Sequence, residues 1–131
     1  MAALGLLLVR VVVGFLFIGH GAQKLFGWFG GYGPKGTGGW MDSVGIKPGV
    51  FMAVLAGLME VVGGALFALG FITPLAGVLI ALVMLGTFKV HWKNGVWASA
   101  NGYEYPLVLL AVAIGIALIG AGDYSLDALM N

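Results

Sequence analysis

Four long apolar runs, parted by short polar or glycine-rich breaks, fill most of this chain. Each approaches the ~20 residues that let a helix cross ~30 Å of hydrocarbon. The pattern predicts helices over about residues 3–26, 48–70, 73–92 and 103–121. Pro48 suits the first turn of the second helix, Gly70 its end, and Thr73-Pro74 the start of the third. Between the first two helices lies the connection 27–47, glycine-rich from Gly27 to Gly39. It reads as loop, except that Trp40 to Val44 suit a short interfacial helix held by Trp40, Met41 and Val44. The polar loop 93–102 separates the third and fourth helices, and the tail from Gly122 to Asn131 is polar enough to lie at a surface.

Short connections between successive helices give an all-α fold, an integral-membrane antiparallel four-helix bundle. Residues 1–131 form one transmembrane domain in this reading. Both termini then lie on one face of the membrane, side A, and the two longer connections on the other, side B. Lys24, Lys35, Lys47, Lys89 and Lys93 gather toward side B, while side A has no Lys and the carboxylates Asp123 and Asp127. The positive-inside rule places side B, with loops 27–47 and 93–102, in the cytoplasm and the termini outside. An N-terminal signal peptide is disfavoured, because Arg10 interrupts its apolar core and no small-x-small cleavage site follows.

Composition sharpens this picture. Of 131 residues, 61% are hydrophobic and 8% charged. Soluble domains carry roughly 25% charged residues, so the lipid bilayer is the expected surroundings. A net charge of +1 without a Lys/Arg cluster excludes a nucleic-acid partner. No cysteine is present, which excludes disulfides, thiolate metal sites and dithiol redox chemistry. Small residues four apart, Ala53/Gly57, Gly77/Ala81 and Ala111/Gly115, let helix backbones approach closely. They serve packing within the bundle or a homo-oligomer interface.

Against this apolar background a few ionisable residues stand out. A charge at mid-bilayer costs about 2.5–3.5 kcal/mol on insertion scales, so such groups face a bundle interior, a cavity or a ligand. Arg10, His20, Glu60, His91 and Glu104 lie within or at the ends of the apolar runs. A rise of 1.5 Å per residue puts Arg10 ~10 Å and Glu60 ~15 Å below side A, which predicts an Arg10–Glu60 pair. Toward side B, His20 and Lys24 end the first helix, Lys89, His91 and Trp92 end the third, and Glu104 opens the fourth. Arg10, Gly14, Gly21 and Lys24 share one helical face, flanked by His20. A quinone headgroup hydrogen-bonded by His20 and by Lys24 or Glu104 fits this cluster. Haem ligation by His20 and His91, and an iron site of His20, His91 and Glu104, are disfavoured; no metal site is expected. Trp28, Phe29, Tyr32, Trp40 and Trp92 suit an aromatic belt or a stacking ligand. Gly31 to Gly36 matches G-x-G-x-x-G but lacks the flanking strand of a dinucleotide fold, so it reads as loop.

Arg10, then His20-Gly21-x-x-Lys24, then Glu60-x-x-Gly63-Gly64 with Gly70 and Pro74, Gly102-x-Glu104, and Gly120-x-Gly122-x-x-Ser125-x-Asp127 follow in order along the chain. Taken together they resemble the DoxX family over essentially the whole chain. The resemblance implies a small four-helix protein of the bacterial or archaeal inner membrane. The family is named after a subunit of a thiosulfate:quinone oxidoreductase, and other members are linked to tolerance of catechols, hydroquinones and thiol or oxidative stress. The family's polar positions fall here on Arg10, His20, Lys24, Glu60 and Glu104.

The expected function is an oxidoreductase component of quinone- or catechol-related metabolism or stress response. His20, Lys24 and Glu104 are its candidate catalytic groups; Arg10, Glu60, His91 and Trp92 are its candidate ligand contacts. A cytoplasmic redox enzyme supplies electrons. Two alternatives stand beside it: a non-catalytic anchor that recruits such an enzyme, and a carrier for a small solute or lipid.

Overall fold

The computed structural model describes residues 1–95 and 104–130. Its elements are α1 (Ala2–Phe26), α2 (Gly33–Ser43), α3 (Gly49–Leu69), α4 (Thr73–His91), a short 3-10 turn (Trp92–Asn94), α5 (Glu104–Ile119) and α6 (Leu126–Met130). Among the described residues there is no strand, and the chain is a helical membrane bundle. α1, α3 and α4 are long and apolar enough to cross a bilayer. Their 25, 21 and 19 residues correspond to ~37, ~31 and ~28 Å at the helical rise. α5, with 16 residues, reaches ~24 Å by the same measure. The polar loop expected over 93–102 falls, from residue 96 on, outside the described residues, as does Tyr103.

α1 and α3 run antiparallel and touch backbone to backbone. A Cβ on Gly14 would meet the Gly64 carbonyl oxygen at 2.6 Å, and one on Gly21 would meet that of Gly57 at 2.6 Å. These two contacts set the register, with residue 14 level with 64 and 21 level with 57. α4 and α5 meet in the same way, Gly77 lying against Ala113 and Ala117. Between the two pairs sits a core of Phe17, Phe67, Ala76, Ile80, Val83, Met84, Ala113 and Ile116. Of the small-residue pairs, Ala53/Gly57 and Gly77 therefore serve packing inside the chain. Ala111 and Gly115 open outward, and nothing lies within 4 Å of Gly115.

The glycine-rich stretch is more helical than its composition predicts. Gly in a helix costs ~1 kcal/mol relative to Ala, yet α2 spans 11 residues. It is held by contacts that demand small residues. A Cβ on Gly38 would meet the Val50 backbone nitrogen at 2.6 Å, and the Asp42 carboxylate accepts the Gly49 N–H at 2.9 Å, at the start of α3. The loop expected at Gly31 to Gly36 is thus, from Gly33 on, the first turn of α2.

At side A, α3 ends in a Schellman turn: Gly70 has φ 67°, its N–H binds Phe67 O, and the Phe71 N–H binds Leu66 O at 2.9 Å. Ile72 follows at φ 47°, an outlier for a β-branched residue. The Asp127 carboxylate holds it there. It accepts the N–H groups of Ile72 at 2.7 Å and Thr73 at 2.9 Å, and the Thr73 hydroxyl at 2.6 Å. The tail therefore caps α4 across more than fifty residues of sequence. The Asp127 N–H closes the arrangement by donating to Gly70 O at 2.8 Å.

Candidate functional site

Helical side chains lean toward the N-terminus of their own helix. On antiparallel α1 and α3 this rule decides which charges meet. Lys24, near the side-B end of α1, leans deeper into the membrane. Glu60, midway along α3, leans toward side B. The two converge, and the Lys24 ammonium donates to both Glu60 oxygens, at 2.8 and 2.9 Å. Glu60 is 2% exposed and the Lys24 side chain 22%.

The expected Arg10–Glu60 pair is not formed. Arg10 lies level with Ala68, eight residues or ~12 Å from Glu60 along α3, and the two side chains lean away from each other. The Arg10 guanidinium, fully buried, instead donates to the carbonyl oxygens of Ala68, at 3.4 Å, and of Tyr124. Its Nε has no hydrogen-bond partner among the described residues, and Asp127 supplies an opposing charge. Arg10 thus belongs to the side-A assembly with Asp127, Thr73 and Tyr124. Sequence reasoning did not single out Asp127 as a site residue; the Ser125-x-Asp127 motif downstream of Thr73-Pro74 was the available signal. The Thr73 hydroxyl and the backbone N–H groups of Thr73 and Ile72 hold the Asp127 carboxyl below the usual carboxylate range, and Arg10 adds to this.

The remaining predicted residues are placed as follows. His20 lies on the exposed side of α1, its Nδ1 3.3 Å from Gln23 Oε1, while Gln23 Nε2 donates to Phe29 O at 3.1 Å. It still acts electrostatically on Glu60 from outside the helix pair. His91 Nδ1 lies 2.8 Å from the Thr87 carbonyl oxygen of its own helix. Glu104 heads α5, half-buried. Trp92 packs on Phe88 with ring centroids 5.4 Å apart. Of the predicted aromatics, Tyr32 is exposed and the other four part into two groups. Trp28 sits between Phe26 and Phe29, whereas Trp40 and Trp92 line one cavity.

That cavity, of about 760 Å³, opens toward side B between α2, the start of α3 and the end of α4. Lys24 and Lys89 supply its charges, Trp40 and Trp92 its rings, and Met52, Met59 and their neighbours an apolar floor. Its size and its mostly apolar lining with a few placed polar groups match small-molecule sites. α2 makes the enclosure, since Trp40, Met41 and the turn Val44 to Ile46 form one wall. Among the described residues no three His, Cys, Asp or Glu side chains gather around a metal position.

Comparison with known proteins supports this picture of a membrane chain. The DoxX family model matches residues 5–92. The protein named Putative oxidoreductase CatD from Bacillus subtilis is 34% identical, over 95% of this chain and 85% of its own. Two Escherichia coli proteins are similar over comparable lengths. Inner membrane protein YqjF is 30% identical, over 97% of this chain and 92% of its own, and inner membrane protein YphA is 29% identical, over 93% and 87%. No solved structure matches the chain. With ordered polar motifs, a helical membrane bundle and a family match over most of its length, the chain belongs to the DoxX family.

Proposed function

We propose that this protein is an oxidoreductase component of the inner membrane that holds a quinone-like aromatic in the side-B cavity. The observation that carries the reading is the cavity itself, where two indole rings face one space with Lys24, whose ammonium Glu60 holds from behind. Aromatic walls suit a planar ring. A Lys24 N–H donates to a ring oxygen, and Glu60 anchors Lys24 at the wall. Reduction of a quinone takes two electrons and two protons. A redox enzyme docked on side B supplies the electrons. His20 and Glu104, near the side-B ends of α1 and α5, lie outside the cavity lining, so their proton exchange with the ring oxygens runs through water. Side B faces the cytoplasm in this reading, in keeping with its lysines. The Bacillus subtilis relative named Putative oxidoreductase CatD and the two named inner membrane proteins support the class and the location.

The test is a titration of the purified protein with a water-soluble naphthoquinone, read by tryptophan fluorescence. Saturable quenching is expected. It should fall in Trp40→Phe and Trp92→Phe, and a Trp28→Phe variant should retain it. Quenching that never saturates, or that survives both cavity substitutions, rejects the cavity as the quinone site.

A further inference from the structure

We infer that the side-B cavity selects an acidic ring hydroxyl in its ionised form, so that the favoured ligand is a phenolate. This rests on the proposed reading of the cavity and names its ligand class. Every charged side chain lining the cavity is cationic: Lys24 from α1 and Lys89 from α4. The carboxylates nearby are turned elsewhere. Glu60 stands behind Lys24 with both oxygens on its ammonium, and the Asp42 carboxylate accepts the Gly49 N–H. His20 acts on Glu60 from the outer side of α1. The Thr87 hydroxyl donates to Val83 O, 3.0 Å away.

An ammonium has three N–H groups. Two oxygens of Glu60 engage at most two of those on Lys24, which leaves one for a ligand oxygen. Lys89, exposed at the cavity mouth, has no ion-pair partner among the described residues. Lys24, Lys89 and Glu60 therefore sum to one net positive charge. A monoanion balances the group, and its attraction is strongest at the partly buried Lys24, where less water screens it. Trp40 and Trp92 select for a ring behind the anionic oxygen, and the methionines of the floor adapt to its shape. A phosphate headgroup shares the anionic chemistry and lacks the ring.

The experiment uses the full chain in nanodiscs of zwitterionic lipid, with 4-nitrophenol as probe at a pH below its own ionisation. Phenolate and phenol absorb at different wavelengths, so the bound form is read directly. Binding should raise the phenolate-to-phenol ratio about tenfold, equivalent to one pKa unit. Lys89→Gln removes an exposed charge with no structural partner and should abolish most of that rise with an unchanged melting temperature. Binding of 4-nitrophenol as the neutral phenol overturns the inference, even where the naphthoquinone still quenches Trp40 and Trp92. Loss of saturable quenching by the quinone as well rejects the cavity reading beneath it. If phosphatidylglycerol in the nanodisc displaces the phenolate at membrane concentrations, the site is an anionic-lipid site and the phenolate class is rejected.

Discussion

Lys24 and Glu60 share one ion pair, yet losing one partner is not equivalent to losing the other. Glu60 is buried at mid-bundle, whereas Lys24 sits near the end of α1 and is partly exposed. A lysine stem can extend along the helix to carry its charge to the interface, which a glutamate at that depth cannot do. Lys24→Met therefore strands a buried carboxylate, and about 3–5 kcal/mol of stability should be lost. Glu60→Gln should cost less, because the freed ammonium can turn to side B. Lys24→Met combined with Glu60→Met should recover most of the loss, since paired apolar replacements of buried ion pairs are often neutral. Unfolding of the three variants in mixed detergent gives the order. If Glu60→Gln is the more damaging single change, the difference in burial is not what governs this pair. The sequence announced Glu60 as a buried acid through its apolar surroundings. Its partner was not legible, because partner choice depends on helix register and on the direction in which each side chain leans.

At the scale of elements, α1 and α3 approach backbone to backbone. Gly64→Val places a side chain where the backbone of Gly14 already stands, 2.6 Å from a would-be Cβ. Overpacking of this kind costs about 1–3 kcal/mol. Gly115→Val, where an added Cβ meets nothing within 4 Å, should leave the melting temperature of the monomer unchanged. Thermal unfolding in mild detergent separates the two; equal losses would mean that the outward face of α5 is itself packed against something. The three spanning helices were legible from hydropathy and from the Gly70 and Thr73-Pro74 signals. α2 was not. Its residues have poor helix propensity, and the helix exists because Gly38 fits against Val50 and Asp42 reaches Gly49, contacts that exist only once α3 is in place.

The whole molecule is closed at side A by its own tail. Arg10 from α1, Ala68 and Gly70 from the end of α3, Thr73 from α4 and Tyr124 and Asp127 from the tail meet in one hydrogen-bonded group. Asp127 has a lowered folded-state pKa, chiefly through the Thr73 hydroxyl. The sign follows from linkage. A carboxyl with a depressed pKa contributes stability above its unfolded value, ~3.9, and loses it as pH falls through the folded value. Melting temperature should thus depend little on this group from neutral pH down to about 4 and fall below that. Asp127→Asn should remove that acid dependence. It should also lower stability at neutral pH by about 0.5–1.5 kcal/mol, the net worth of a lost hydrogen bond, because the amide keeps one acceptor oxygen where the carboxylate uses two. A variant that keeps the wild-type acid limb would place the titrating group elsewhere.

The sequence by itself determined the class of molecule. Apolar runs of membrane length, the scarcity of charge, the lysines of one side and the ordered polar motifs are all local or compositional, and lipid imposes them on any chain that crosses it. Only the tertiary structure decided which polar residues meet. Arg10 and Glu60 seemed matched in depth, but the glycine contacts fixed a register that parts them by ~12 Å, and Lys24 took the place of Arg10. The cavity was likewise invisible along the chain, because Lys24, Trp40, Lys89 and Trp92 come from different elements. Their sharing of one space depends on a glycine-rich helix that forms only where it packs.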